Sequence, residues 1–407
     1  MSDRAKMILR LAVFLAAAVG IGAALYFAFF RGSPDVEDTQ TVDDGDTTDG
    51  TLTGSGDAGP RESGDEDDED EEGGGTLPPS PVAEGGATST RLLTNTEILS
   101  PTTTTQGTVA FYDPADGRFY TIDNDGELER LSEKQFPDAE TVTFASDVSA
   151  AVIEFPDGSN IVYGFDSGKQ VTLPSHWEDF SFSADGDEIA GKSIGSDPSN
   201  RSLVVTSADG SRTEVVAALG ENDDKVQVNW SPSGNVVAFS RTGTTQSSFG
   251  RQQYYLIGLD GEASGVLIVE GSDFSAIWAP DGQHLIYSVA ESANDYRPSL
   301  WYADADGDRD EARERIALET WVEKCAFASS TVLYCAVPDE MVDGAGSNHG
   351  LVTSNDGLYR IDLPSGNATY LGYAAVPTQM FNLSVDPDGD ILYFQDENGR
   401  LNSMRLE

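Results

Sequence analysis

Trp230-Ser231-Pro232-Ser233-Gly234 and Trp278-Ala279-Pro280-Asp281-Gly282 are two copies of one turn. Each runs straight into an apolar β-run, Val236-Val237-Ala238-Phe239-Ser240 after the first and His284-Leu285-Ile286-Tyr287-Ser288 after the second. A weaker copy, Val385-Asp386-Pro387-Asp388-Gly389, precedes Ile391-Leu392-Tyr393-Phe394. Proline presets the turn, and glycine takes the positive φ that a tight hairpin needs. A hairpin that recurs at the spacing of a propeller blade marks a repeat protein, whose function is sought on a platform of blades rather than in one cleft.

The remaining β-runs fit that frame. Second strands begin near Val109, Ala151, Ile189, Val236, Leu285, Val332 and Ile391, at intervals close to the roughly 40-to-50-residue blade period. Third strands follow turns, as in Asn160-Ile161-Val162-Tyr163, Tyr254-Tyr255-Leu256-Ile257 and Leu358-Tyr359-Arg360-Ile361. The aromatic residue ending each innermost strand (Phe144, Phe182, Trp230, Trp278, Phe327) is expected to pack between blades. The fold class is therefore all-β, a β-propeller of seven blades. Six or eight stay open, because residues 339–355 read ambiguously. The last blade offers only three strands, and Thr90-Arg91-Leu92-Leu93-Thr94 is expected to supply its outer one, closing the ring and removing an open edge. The one helix expected is short, over residues 309–317.

The motifs Trp-Ser-Pro-Ser-Gly-Asn-Val-Val-Ala-Phe-Ser and Trp-Ala-Pro-Asp-Gly-Gln-His-Leu-Ile-Tyr-Ser resemble the repeats of TolB-type propellers, the WD40-like PD40 repeats. The segment from Lys324-Cys325-Ala326-Phe327 to Cys335-Ala336-Val337-Pro338 is similar to one in membrane-anchored bacterial propeller proteins. The resemblance covers the chain from about residue 91 onward and implies the fold. The additional N-terminal domain of TolB itself has no counterpart here, where an apolar segment and a spacer stand instead.

Residues 11–30 form that apolar segment, free of charge, and roughly 20 such residues cross a bilayer as a helix. Arg4, Lys6 and Arg10 precede it and a strongly acidic stretch follows Arg31, so residues 1–10 are expected in the cytoplasm and the rest outside, in the periplasm or at the cell exterior. A cleavable signal peptide is the competing reading, against which the bulky Tyr26-Phe27-Ala28-Phe29-Phe30 stands where small residues would be cut. Residues 31–89 read as a disordered acidic linker, stretched by the self-repelling run Asp65-Glu66-Asp67-Asp68-Glu69-Asp70-Glu71-Glu72. Residues 90–407 read as the propeller.

With 24 basic against 70 acidic residues, the 407-residue chain has a formal net charge of −46. Such a surface repels phosphate backbones and excludes nucleic acid as a partner. The two cysteines flank the turn Ser329-Ser330-Thr331. A three-residue loop there pairs Ala328 with Val332 and sets Cys325 opposite Cys335, within disulfide reach. Two reduced core thiols are the alternative.

Signals of chemistry are sparse. His176, His284 and His349 lack metal-ligand spacing and read as surface or turn residues. No Gly-x-Ser-x-Gly elbow and no phosphate loop occur, and Ser183-Ala184-Asp185-Gly186 is an incomplete Asp box. Asp304, Asp306 and Asp308 alternate around Gly307 as in calcium-binding loops, without the register of an EF-hand, so a solvated acidic turn is the plainer reading. No other cofactor is expected. Long loops at 242–251, 290–299 and 339–350 bring forward Arg251, Tyr254, Tyr296, Arg297 and Trp301, residue types common at binding hot spots. Two function classes follow. One is a non-enzymatic interaction module for an extracytoplasmic protein, peptide or glycan, attached to the membrane through residues 11–30. The other is an extracytoplasmic hydrolase of glycan or peptide that uses channel carboxylates.

Overall fold

The computed structural model describes residues 78–246, 250–305 and 313–407. Their strands form seven sheets, each built around an antiparallel four-stranded core. Blades 1 to 6 span residues 99–130, 141–173, 177–218, 226–270, 272–316 and 325–374. Blade 7 takes three strands from residues 381–405 and its fourth from Thr90–Leu92, which pairs antiparallel with Leu401–Arg405. The expected second strands are all present, at Val109–Asp113, Ala150–Glu154, Glu188–Ser193, Ala238–Ser240, His284–Ala290, Val332–Pro338 and Ile391–Gln395. The ambiguous residues 339–355 turn out to be a loop between the second and third strands of blade 6, which settles the number at seven.

A ring holds because every blade shares its core with the next. Phe144 of blade 2 meets Phe119 of blade 1 edge-on, ring centroids 5.7 Å apart. Trp278 of blade 5 stacks on Phe239 of blade 4 at 5.4 Å. The last junction joins Tyr393 and Leu401 of blade 7 to Val109, Phe111 and Tyr120 of blade 1. The repeated hairpin turns also touch each other directly. The Ser231 and Ser233 hydroxyls of one motif both donate to the Gly282 carbonyl of the next, each at 3.1 Å. Gly282 has φ 63°, and a Cβ there would lie 2.2 Å from the Ser233 nitrogen, so only glycine fits both the turn and the contact.

Three sequence expectations change. Residues 313–316 of the expected helix are a strand, Arg313–Ile316, pairing with Pro298–Asp304 at the edge of blade 5. The unpaired edge of that blade outweighs the helix propensity of a short charged stretch. The folded part begins inside the expected linker. Gly86–Thr88 is a strand parallel to Asn367–Ala374 of blade 6, and Ser80 bridges to Thr88. A single N-terminal segment thus clasps blades 6 and 7 together. The cysteine hairpin is tighter than a three-residue loop. Ser329 pairs with Val332 and Phe327 with Leu333, leaving Ala328 as a bulge. The bulge restores the register, Cys325 faces Cys335, and the two form a disulfide with Cα atoms 4.1 Å apart. The apolar segment 11–30 and the acidic run 65–72 lie outside the described residues.

The disulfide closes a short loop, its cysteines 10 residues apart. Replacing both cysteines by serine is expected to lower the unfolding free energy by about 2–3 kcal/mol. Urea denaturation of the two proteins side by side measures it.

Candidate functional site

Strand direction sorts the loops into two faces. The first residue of an innermost strand pairs with the last residue of the second strand, as Thr141 does with Glu154. The entry to each innermost strand and the turn from second to third strand therefore share one face, here called the upper face. The repeated Trp-Ser-Pro turns lie on the lower face.

The upper face carries the long insertions, and they fall in consecutive blades. Blade 3 contributes residues 194–201, blade 4 residues 241–246 and 250, blade 5 residues 291–297 and blade 6 residues 339–355. The last two are locked together by backbone. The Gly344 N–H donates to the Asp295 carbonyl at 2.9 Å and the Gly346 N–H to the Tyr296 carbonyl at 2.8 Å. The buried Trp321 indole donates to the Gly346 carbonyl at 3.2 Å, and its ring lies 4.3 Å from that of His349. The Ser347 hydroxyl reaches across to Asp273 Oδ2 at 2.5 Å. These contacts hold Asp295 and Tyr296 at φ 52° and 56°, a left-handed conformation that costs a non-glycine residue on the order of 1 kcal/mol. Tyr296 remains 53% exposed.

The entry to the ring is shaped by bulges. The innermost strands of blades 1, 3, 5 and 7 each break register at a residue with positive φ, namely Ser100, Asp179, Asp273 and Asn382. Bulges of this kind re-aim side chains at a rim. Asp179 accepts from the Val228 N–H of blade 4 at 3.0 Å and lies 3.3 Å from the Lys192 ammonium. Asn382 donates to Gln395 Oε1 at 2.5 Å. Below the rim is a central cavity of about 900 Å³, lined among others by Thr102, Thr143, Ile277, Cys325, Phe381 and Leu383. Carboxylates on its wall are Glu97, Glu323, Asp396 and Glu397.

Two carboxyls are pushed above their ordinary range. Burial raises Glu154, and the charges of Asp179, Glu178 and Glu140 add to it. Burial also raises Asp356, against the pull of the Lys324 ammonium. Neither residue lines the central cavity. Lys324 and Asp356 form an ion pair at 4% and 1% exposure, and burial pushes the lysine amine down. Asp356 Oδ2 also accepts the Met380 N–H at 2.6 Å, and the ammonium sits 4.5 Å from the Phe381 ring centre. The pair ties the entry of blade 6 to that of blade 7. Nothing in the sequence marked it, since an isolated lysine and aspartate 32 residues apart carry no pattern.

The residues singled out from sequence divide. Tyr296 is on the surface, and Arg297 beside it is ion-paired with Asp343 at 2.7 Å and Glu319 at 3.5 Å. Arg251 is paired with Glu270 at 2.7 Å. Tyr254 is a core residue, 5% exposed, packed 4.5 Å from the Phe274 ring, and is no part of the surface. Trp301 is also structural. Its indole donates to Glu291 Oε1 at 2.7 Å while its ring lies parallel to that of Tyr287. Alternation along a strand places these two inward, which a reading of loops alone overlooks. Asp304 Oδ1 faces His284 Nε2 at 3.2 Å, and His284 Nδ1 is 2.8 Å from Asp281 Oδ2. Asp306 and Asp308 lie outside the described residues. Among the described residues no group of three or more histidines, cysteines or carboxylates is arranged to hold a metal ion.

The fold and the loop-bearing upper face define the chain as a seven-bladed β-propeller of WD40-like architecture. Solved structures share that architecture. Oligogalacturonate lyase from Vibrio parahaemolyticus aligns with a TM-score of 0.51 at 11% identity, covering 80% of this chain and 99% of that one. A β-propeller domain from Myceliophteria thermophila aligns with a TM-score of 0.53 at 12% identity, covering 79% and 100%. An oligogalacturonate lyase in complex with manganese aligns at 0.52 and 12%, covering 78% and 93%. At these identities the likeness is one of fold. No family model matches the chain, and no curated protein matches it.

Proposed function

We propose that the chain is a TolB-type propeller held at the membrane by residues 11–30, with its N-terminus cytoplasmic and its propeller outside. In this reading it is a non-enzymatic interaction module that engages an extracytoplasmic protein, peptide or glycan through the upper face of blades 4 to 6. The observation that carries the reading is the locked pair of loops that presents Tyr296. Backbone bonds between neighbouring blades hold an aromatic side chain in a left-handed conformation, half out in solvent. Local strain kept in place by surrounding contacts is typical of ligand clamps, and a rigid aromatic is an anchor that loses little entropy on binding. The Cys325–Cys335 disulfide suits an oxidising compartment. The hydrolase reading asks for two carboxyls facing each other across the cavity. The two carboxyls raised by burial, Glu154 and Asp356, are absent from its lining, and Asp356 is engaged by Lys324 and Met380.

A photo-crosslinking residue at position 296 of the full chain in its own membrane is expected to trap a partner, while one at the exposed Leu259 of the lower face traps none. Tyr296→Ala is expected to weaken capture of that partner by about tenfold or more. Equal trapping from both positions, or capture unchanged by Tyr296→Ala, would remove the upper face from the reading. Protease treatment of spheroplasts, whose cytoplasmic membrane stays sealed, tests the topology separately, since a propeller outside that membrane is cleaved without lysis.

A further inference from the structure

Lys225 and Arg241 stand side by side at the upper end of blade 4, where the Arg241 N–H donates to the Lys225 carbonyl at 2.8 Å. Lys225 ends the 3₁₀ segment Gly220–Lys225, and its ammonium donates to Asn222 Oδ1 at 2.9 Å. Arg241 follows the strand Ala238–Ser240 and lies against the Tyr254 hydroxyl. Together with Arg251, Thr242, Thr245 and Ser272 they line a cavity of about 530 Å³.

The charge arrangement is unusual for this chain. Acidic residues outnumber basic ones 70 to 24, and most described lysines and arginines sit in ion pairs. Among the described residues, neither Lys225 nor Arg241 has a carboxylate at ion-pair distance. Asp273 is within electrostatic reach of Arg241, but its Oδ2 is taken by the Ser272 and Ser347 hydroxyls at 2.7 and 2.5 Å. Adjacent like charges repel, and the arrangement is relieved when an anion comes between them. An arginine fork and a lysine point charge, flanked by hydroxyls, are complementary to an oxyanion.

We propose that this cavity binds the oxyanionic group of a small polar ligand, a carboxylate or a phosphate. Arg241 grips the group through paired N–H donors, Lys225 neutralises it from the side, and the Thr242 hydroxyl orients the rest. At about 0.15 M ionic strength charges beyond about 8 Å are screened, and the nearer carboxylates are engaged, Glu270 by Arg251 and Asp273 by the Ser272 and Ser347 hydroxyls.

The test is calorimetry on the full chain in nanodiscs of zwitterionic lipid, with inorganic phosphate and with glucuronate as probes. Saturable binding of at least one probe is expected. Arg241→Met and Lys225→Met are each expected to weaken it by about tenfold or more, since each removes a charge-assisted contact. Arg405→Met, at an exposed cation elsewhere, is expected to leave it unchanged. Which probe binds tells a carboxylate ligand from a phosphate one. Absence of saturable binding with both probes, or wild-type affinity in the Arg241 and Lys225 variants, overturns the proposal. Tyr296→Ala is expected to keep full probe affinity, so failure of the partner reading and failure of this one are read apart.

Discussion

Replacing Lys324 by methionine is expected to remove about 3–5 kcal/mol of unfolding free energy, a large loss for one side chain. The reason is the partner left behind. Asp356 is 1% exposed, and without the ammonium its carboxylate keeps only the Met380 N–H, since Oδ1 has no hydrogen-bond partner of its own. Burial already raises Asp356, and loss of Lys324 raises it further. A carboxyl whose folded pKa lies above its unfolded value adds stability while protonated and loses it as pH rises through the folded pKa. Lys324→Met is therefore expected to be least stable near neutral pH and to recover, relative to wild type, as the solution is acidified. Adding Asp356→Asn removes the stranded charge, keeps an acceptor for Met380, and is expected to restore much of the loss at pH 7. Denaturant unfolding of the single and double variants across pH measures all three effects. A single variant as stable as wild type at every pH would show that the pair contributes nothing to the ring.

The second large effect concerns the clasp. A full chain lacking residues 80–92 leaves blade 7 with three strands and uncovers the outer edge of blade 6. The lost ladders, Thr90–Leu92 on Leu401–Arg405 and Gly86–Thr88 on Asn367–Ala374, and the exposed Met404, Leu406 and Ala374 together account for a loss on the order of 5 kcal/mol. Two newly open edges also invite strand pairing between molecules. The shortened chain is expected to unfold at lower denaturant and to elute as oligomers. A milder variant keeps the chain length. Gly372 has φ 130°, and a Cβ there would lie 2.3 Å from the Gly86 carbonyl oxygen, so Gly372→Val is expected to lift the first clasp strand alone. Faster amide exchange confined to residues 80–88 reads that out.

Much of the fold was legible because turn chemistry is local. Pro232, Gly234, Pro280 and Gly282 act through their own φ values, so the hairpins and the strands after them stand in the sequence in plain form. The cysteine pairing was legible for a related reason, since a hairpin turn fixes what lies opposite what. The Ala328 bulge escaped notice because it cancels against the shorter turn and leaves the cysteine register intact. The closure of blade 7 by Thr90–Leu92 was legible from the strand that blade lacked, but the other contacts between distant segments were not. Gly86-Ala87-Thr88 has little strand propensity and becomes a strand because Asn367–Ala374 offers it an edge. Arg313–Ile316 is drawn into a strand in the same way. At the surface, loops pointed to the right blades, yet whether Tyr254 or Tyr296 faces solvent depends on strand pairing that residue type does not carry.

The clasp also decides how the molecule answers to pulling. The segment that closes the ring is the one through which the chain ahead of Pro78 is attached. Any pull on the chain from that end arrives first at Ser80–Thr88 and Thr90–Leu92, before it reaches an inner strand of any blade. Hydrogen-bond ladders lying side by side share such a load along their length. For a propeller held by its N-terminus, mechanical strength and ring closure are one and the same set of bonds.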